Sequence, residues 1–157
     1  MRERDLVLDA VALSALLDER KPDHVYARRV LSDGVARRAK DVQQLDSALF
    51  LVPSITLYEV RRGLLKVGAR RRVRALDRFL RAYGSIEDFD EGAAKVAARL
   101  WAERSKAGRP AGERDLLILA TAVVAEADVV TRDTGFPTTT GVSVLTWEQV
   151  AAELDQA

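Results

Sequence analysis

The fold of this chain is decided by residues 115–133, where Asp115-Leu-Leu-Ile-Leu-Ala120 opens an apolar segment that leads to Val129-Val-Thr131-Arg-Asp133. The first part is apolar on all sides, and a helix of that kind is buried within a domain. The second part contains a short β-branched run, which is typical of a buried strand. A buried helix followed by a buried strand favours an α/β fold.

Strand-like and helix-like segments alternate along the rest of the chain. The expected strands are 6–8, 50–55, 128–131 and 142–145, and residues 85–89 form either a further extended piece or a loop. The expected helices are 10–17, one that begins at 21–23, 56–67, one around 73–80, 93–106, 113–125 and 147–154. This alternation predicts an α/β three-layer sandwich, in which a mostly parallel sheet of four to five short strands is flanked by helices.

Length and composition bound the class of protein. A chain of 157 residues is expected to form one domain, residues 1–157, with a core that removes roughly two-thirds of its unfolded surface from water. The absence of cysteine excludes a disulfide framework and thiolate metal sites. No apolar stretch approaches the roughly 18 residues of a membrane span, and no secretory signal is visible, so a cytoplasmic protein is expected.

The net charge is only +1, but the basic residues are unevenly distributed. The segment 61–81 is rich in arginine and contains a single acid, Asp77. Such a basic face favours a polyanionic ligand held through its phosphates, although two solvated helix faces would leave the same pattern. The candidate contacts with a nucleic-acid backbone are Arg61, Arg62, Arg70, Arg71 and Arg72.

Four acidic residues lie near strand ends or at the start of the buried helix. Asp9 follows the first expected strand, and Glu59 comes one helical turn after the second. Asp133 follows the third strand, and Asp115 opens the buried helix. Carboxylates at the carboxyl edge of a parallel sheet face the ligand crevice, and without a nearby His or Cys they select Mg²⁺ or Mn²⁺ over Zn²⁺. The only histidine, His24, lies in a charged helix start and is expected at the surface.

Each of these acids also has a structural explanation. Asp9 is a favoured N-cap residue, and Asp115 complements a helix dipole near an N-terminus. Thr56 and Glu59 have the spacing of a capping box. Asp133 lies in a turn sequence in which aspartate is common. The explanation is weakest for Asp115, because a carboxylate that opens an all-apolar helix is expected to be partly buried and to need a partner.

Three ordered segments resemble the motifs of the PIN-domain nucleases, and in particular of the VapC-type toxins of bacterial toxin–antitoxin pairs. The first two segments are Leu6-Val-Leu-Asp9-Ala10 and Pro53-Ser-Ile-Thr-Leu-Tyr-Glu59 with Gly63. The third comprises Gly108-Arg-Pro110, Asp115-Leu-Leu-Ile-Leu-Ala-Thr-Ala122, Val129-Val-Thr-Arg-Asp133 and Phe136. Each segment alone is weakly specific, but their order and spacing over almost the whole chain are specific.

The resemblance implies a PIN-like fold and an endoribonuclease that hydrolyses RNA phosphodiester bonds with Mg²⁺ or Mn²⁺. Carried over by position, it makes Asp9, Glu59, Asp115 and Asp133 the catalytic and metal-binding acids. Thr131 would support them with its hydroxyl group. The resemblance also implies a small cognate antitoxin and a homodimer.

One position departs from the family pattern. The family usually has Ser, Thr or Asn two residues after the leading aspartate, whereas this chain has Val11. Ser14 or Thr131 would have to supply the missing polar group. Val11 therefore keeps open a catalytically weakened PIN fold that binds RNA or a protein without cutting, and DNA stays open as an alternative substrate.

Three other classes whose first strand carries a functional turn are disfavoured. A phosphoaspartyl phosphatase would have a second Asp at the position of Val11, and a receiver domain would have an adjacent acidic pair. A dinucleotide-binding domain would have a glycine-rich turn, and residues 9–13 contain no glycine.

Overall fold

A parallel five-stranded sheet forms the centre of the protein, in a computed structural model that describes residues 2–156. The strands are β1 Leu6–Leu8, β2 Phe50–Pro53, β3 Gly84–Glu87, β4 Asp128–Val130 and β5 Val144–Leu145. Their order is β3-β2-β1-β4-β5, and every neighbouring pair is parallel. The predicted α/β class and parallel sheet are confirmed. Of residues 85–89, the first three lie in strand β3, and residues 88 and 89 follow its end.

Seven α-helices connect and flank these strands within residues 2–156. They are α1 Ala10–Leu17, α2 His24–Lys40, α3 Ser54–Lys66, α4 Arg70–Tyr83, α5 Glu91–Lys106, α6 Glu113–Val124 and α7 Trp147–Leu154. The predicted bounds of α1 and α7 are confirmed, because Asp9 caps the first helix and a complete capping box from Thr146 to Gln149 starts the second. Among these helices, none has the length and apolar character to cross a bilayer.

The sheet separates two apolar cores. On one face, Leu6 and Leu8 pack with buried residues of α1, α2, α4 and α7, including Trp147. On the other face, Val7 packs with buried residues of α5 and α6. Because successive side chains of a strand point to opposite faces, the three residues of β1 serve both cores. The result is the predicted three-layer sandwich.

The start of α3 differs from the prediction. Strand β2 ends at Pro53 and α3 begins at Ser54, two residues before the expected start at Thr56. Thr56 is therefore inside the helix, where its buried hydroxyl donates to the Leu8 carbonyl oxygen at 2.9 Å. The predicted capping box of Thr56 and Glu59 is wrong, because Pro53 has the fixed, extended backbone that precedes the helix. Glu59 thus loses its structural explanation.

The topology brings three chain segments to the carboxyl edge of the sheet. Strands β1 and β4 are in register at Leu8 and Val130, and the Asp9 N–H donates to the Val130 carbonyl oxygen at 3.3 Å. Helix α3 begins where the neighbouring β2 ends. Helix α6 leads directly into the start of β4, so its first turn lies at the opposite, carboxyl edge. The N-termini of α1, α3 and α6 therefore face a common region.

Candidate metal centre

Asp9 occupies the middle of this edge and is buried, with 6% of its surface exposed. Its Oδ1 accepts the Ala12 N–H at 2.8 Å as the cap of α1, and its Oδ2 accepts a short hydrogen bond from the Thr131 hydroxyl. Burial raises the pKa of the Asp9 carboxyl above its ordinary value, while the two hydrogen bonds oppose that rise. Asp9 is thus a helix cap and a buried carboxylate at the same time.

Thr131 connects Asp9 to the turn that follows β4. Its hydroxyl oxygen accepts the Asp133 N–H at 3.0 Å while the hydroxyl donates to Asp9. The Asp133 side chain is exposed, and its Oδ1 accepts the Gly135 N–H at 2.8 Å within the same turn. Asp133 is therefore linked to Asp9 only through the hydrogen bonds of Thr131. The Asp133 carboxylate itself accepts a hydrogen bond within its own turn.

Glu59 and Asp115 lie on either side of the Arg114 side chain. Arg114 Nη1 is 3.0 Å from Glu59 Oε2, and Arg114 Nε is 3.4 Å from Asp115 Oδ1. The side chains of Glu59 and Asp115 expose 9% and 15% of their surface, whereas that of Arg114 exposes 56%. A solvent-accessible guanidinium thus bridges two largely buried carboxylates from different helices.

The charges of this bridge also act on Asp9. After burial and the hydrogen bonds, the negative charge of Asp115 raises the pKa of Asp9 and the positive charge of Arg114 lowers it. Asp9, Asp115 and Glu59 therefore share one electrostatic environment, which we call the acidic pocket. Asp133 is the predicted acid that the structure leaves outside it.

The donors of the acidic pocket suit a hard divalent cation. All are carboxylate oxygens, and Glu59 Oε1 is buried without a hydrogen-bond partner in the described part of the chain. As the side chains stand, no three His, Cys, Asp or Glu residues within 2–156 form a ready ligand group. In this arrangement Arg114 contacts Glu59 and Asp115, and Asp133 Oδ1 accepts the Gly135 N–H.

A groove of about 360 Å³ extends from Glu59 between α1 and the α3–α4 pair. Its basic lining residues are Arg20, Lys21, Arg62 and Arg72, and Ser14 also lines it. The lining acid Asp18 lies 2.9 Å from Arg20 Nε and 3.7 Å from Arg72 Nη1, so Lys21 and Arg62 are the lining cations that do not contact it. The Arg62 guanidinium carbon lies 5.0 Å from the centre of the Tyr58 ring, within the range of a cation–π contact. This groove joins the acidic pocket to a basic surface.

Two of the five predicted backbone-binding arginines line this groove. Arg62 and Arg72 line the groove, whereas Arg70 and Arg71 are exposed at the start of α4, outside its lining. Arg61 is held by Asp77, with 2.6 Å between Arg61 Nη1 and Asp77 Oδ1.

Comparison with known families identifies the fold. The PIN domain family matches residues 6–142. The chain belongs to the PIN domain family. No curated protein matches it.

Several solved structures have a similar fold. DNA-bound VapBC from Salmonella typhimurium is similar with a TM-score of 0.69 and 20% identity, over 92% of this chain and 98% of the other. VapBC2 from Rickettsia felis, bound to a promoter DNA fragment, has a TM-score of 0.66 and 20% identity, with coverages of 88% and 96%. FitAcB from Neisseria gonorrhoeae has a TM-score of 0.62 and 22% identity, with coverages of 91% and 98%. These likenesses show the fold.

The polar group missing at Val11 of this PIN domain has one visible substitute. The Val11 side chain is exposed to solvent and makes no part of the core. Of the two residues expected to replace the group, Thr131 contacts Asp9 directly, whereas Ser14 lines the groove. The hydroxyl beside Asp9 is therefore supplied from the end of β4.

Sequence reasoning missed Arg114 and the buried hydroxyl of Thr56, and it misplaced His24. A cation in the first turn of a helix opposes the helix dipole, and that signal pointed to an acidic partner for Arg114. Nothing in the sequence indicates the bond between Thr56 and the strand β1. His24 is half-buried rather than at the surface, because its Nδ1–H donates to the Ala15 carbonyl oxygen at 2.7 Å.

Proposed function

We propose that this PIN domain is a metal-dependent endoribonuclease and the toxin of a toxin–antitoxin pair. The observation that carries the proposal is the convergence of Asp9, Glu59 and Asp115, with a buried Glu59 oxygen that lacks a partner among residues 2–156. Buried carboxylates that repel one another are costly unless a cation joins them. The similarity to VapBC and FitAcB complexes supports a small antitoxin as partner.

The acidic pocket would hold Mg²⁺ or Mn²⁺ through these three carboxylates, with Asp133 contributing less directly. When bound, such a cation lowers the pKa of a water and neutralises charge on the scissile phosphate. The chain's own part is to fix the ligands: the Thr131 hydroxyl and the Ala12 N–H orient the two oxygens of Asp9. Burial of Glu59 and Asp115 keeps competing water away from the charges.

The groove beside Glu59 would position the RNA backbone. Arg62 and Arg72 offer positive charge next to the acidic pocket, so a strand held there places a phosphate near the carboxylates. Contacts with phosphates fix the register of a strand but do not read its sequence. We therefore propose single-stranded or looped RNA, whose splayed bases and shape supply selectivity, as the substrate of a homodimeric enzyme.

Incubation of the protein with structured RNA and Mg²⁺ or Mn²⁺ tests this function. We expect cleavage that EDTA stops and that Asp9→Asn or Asp115→Asn reduces by about 100-fold or more. Asp46→Asn, in an exposed loop before β2, serves as the matched control and should cleave normally. Undiminished cleavage by both pocket variants would exclude this site, and cleavage of DNA of the same sequence would reassign the substrate.

A second candidate is a PIN fold that binds RNA or a protein without cutting. Two observations favour it: Val11 stands where the family usually has a polar residue, and Arg114 spans Glu59 and Asp115. In that case the wild-type protein binds RNA but leaves it intact at every concentration of Mg²⁺ and Mn²⁺. Binding would then be indifferent to Asp115→Asn.

A further inference from the structure

We propose that Arg114 is an internal counter-ion that occupies the acidic pocket in the metal-free protein and is displaced when a divalent cation binds. The inference rests on the proposed function for the existence of the metal site. It follows that the Arg114 side chain sets the affinity of the acidic pocket for the metal ion.

Glu59 depends on Arg114 for compensation of its charge. Arg114 Nη1 lies 3.0 Å from Glu59 Oε2, and no other donor contacts either Glu59 oxygen in the described part of the chain. A buried carboxylate with a single partner is strongly destabilised when that partner is removed. Arg114 therefore compensates the charge that the sheet edge and α3 hold in place.

The local structure around Arg114 does not explain why an arginine lies at this position. It lies in the first turn of α6, where Glu113 and Asp115 complement the helix dipole and a cation opposes it. Both of its acidic partners belong to the acidic pocket, and Glu59 is 55 residues away in sequence. Arg99 is a useful contrast, because its 53% exposed side chain pairs with Glu103 of the same helix, α5.

Arg114 and a metal ion would compete for the same carboxylate oxygens. The oxygens that contact Arg114 are Glu59 Oε2 and Asp115 Oδ1, two of the donors that a metal would need. A hard cation binds such oxygens directly at about 2.0–2.6 Å, which leaves no room for a guanidinium on the same side. Two positive groups at that distance also repel each other. Because Arg114 is 56% exposed, its side chain can move into solvent when the cation arrives.

The arrangement has two effects on the protein. Without metal, Arg114 keeps Glu59 and Asp115 close together, so the acidic pocket stays assembled. With metal, the energy of that ion pair is lost, so the affinity for the cation is lower than the carboxylates alone would give.

Calorimetric titration of Mn²⁺ into the metal-free full chain, without RNA, tests the proposal. We expect Arg114→Gln to bind Mn²⁺ about 5- to 20-fold more tightly than the wild type, at the lower part of the usual range for coupled sites. Arg114→Lys, which keeps the charge, should remain close to the wild type. Arg99→Gln removes an equally exposed, ion-paired arginine elsewhere and should leave the affinity unchanged.

A measurement on the wild-type protein covers the case in which Arg114→Gln does not fold without metal. The Nε–H signal of Arg114 in a nitrogen-15 NMR spectrum reports its contact with Asp115. Saturation with Mg²⁺ should shift that signal and expose the proton to exchange with water. A signal that is unchanged at saturating Mg²⁺ would overturn the displacement.

The outcomes also separate this inference from the proposed function. If Asp115→Asn weakens Mn²⁺ binding but Arg114→Gln leaves it unchanged or weaker, only the counter-ion role is wrong. If neither the wild type nor any variant binds Mn²⁺, the metal site and the inference both fail. Binding by Arg114→Gln where the wild type shows none would support both.

Discussion

Asp9 and Asp128 are the two buried aspartates of residues 2–156, and they lie at opposite edges of the same sheet. Asp128 Oδ2 accepts from Arg2 Nη1 at 3.1 Å and Nη2 at 2.9 Å. Its Oδ1 accepts the Ser143 N–H at 2.9 Å and lies 3.3 Å from Arg4 Nε. Asp9 accepts only neutral donors, from Ala12 and Thr131.

The charge of Asp128 stabilises the fold, whereas we assign the charge of Asp9 to ligand binding. Asp128 is compensated by two arginines of the N-terminal segment and ties that segment to the sheet. The acidic pocket around Asp9 shares one arginine among three carboxylates, and Glu59 Oε1 has no partner among the residues described. A carboxylate that stays buried with so little compensation is retained at the expense of stability, which is characteristic of functional sites.

The largest effect is expected from Asp115→Asn, which removes one charge from the acidic pocket. Its kcat/KM for RNA cleavage should fall by about 100- to 1000-fold, the usual cost of losing one electrostatic contact to the transition state. The thermal midpoint should stay close to that of the wild type, since the Arg114 bridge retains Glu59. A loss of activity that only parallels unfolding would remove the contrast with Asp128.

Asp128→Ala should lower stability and leave activity unchanged, the reverse of Asp115→Asn. It leaves Arg2 and Arg4 without their shared partner, and we expect the free energy of unfolding in urea to fall by about 2–3 kcal/mol, discounted for the partial exposure of both arginines. Cleavage per folded molecule should be unchanged. A variant as stable as the wild type would show that Asp128 is not the structural member of the pair.

Arg62 and Arg72 of the groove are expected to affect the binding of RNA. Arg62→Gln with Arg72→Gln should weaken RNA binding several-fold and flatten the slope of log K against log salt by about 0.7 for each phosphate that the variant no longer neutralises. Arg70→Gln with Arg71→Gln, outside the lining of the groove, is the matched control. Equal slopes for the two double variants would place the RNA elsewhere.

Asp9→Asn should slightly stabilise the metal-free protein at neutral pH, because burial raises the pKa of Asp9 in the folded state. A carboxyl with a raised folded-state pKa stabilises the fold fully below its unfolded pKa, and that stability is lost as the pH rises through the folded value. The gain from Asn, about 0.5–1 kcal/mol, should therefore be largest at pH 7 and shrink as the pH falls. Unfolding curves between pH 4 and 7 measure it.

Asp46→Asn is the control for this pH series, since the residue is exposed in a loop. Asn keeps the cap of α1 through its Oδ1, but its Nδ2 cannot accept the hydrogen bond that the Thr131 hydroxyl donates to Asp9, and that loss lowers the gain in stability. A stability difference that grows as the pH falls would contradict the assigned direction of the Asp9 pKa.

Local patterns predicted most of the fold because its elements carry their own boundaries. Helix α1 follows the cap residue Asp9, and α7 follows the capping box at Thr146, so both were placed to the residue. The start of α3 was misplaced because the buried Thr56 acts through tertiary structure. The bond from Thr56 to the Leu8 carbonyl oxygen joins residues 48 apart in sequence.

The acidic pocket was predictable in type but not in arrangement. Strand ends and the topology of a parallel sheet bring Asp9, Glu59 and Asp115 together, whereas the orientation of Asp133 depends on its own turn and on Thr131. The Arg114 bridge depends on the distance between α3 and α6, which no local pattern fixes. The sequence therefore predicted which acids meet at the pocket, but it did not predict which residue they pair with.

The most direct test of the central claim is a titration of Mn²⁺ into folded Asp9→Asn and Asp128→Asn proteins, side by side with the wild type. We predict that Asp9→Asn loses at least about tenfold in affinity, as expected when one carboxylate ligand is neutralised, while Asp128→Asn binds like the wild type. Equal affinities for all three proteins, or weaker binding only in Asp128→Asn, would contradict the assignment of the carboxyl edge as the metal site.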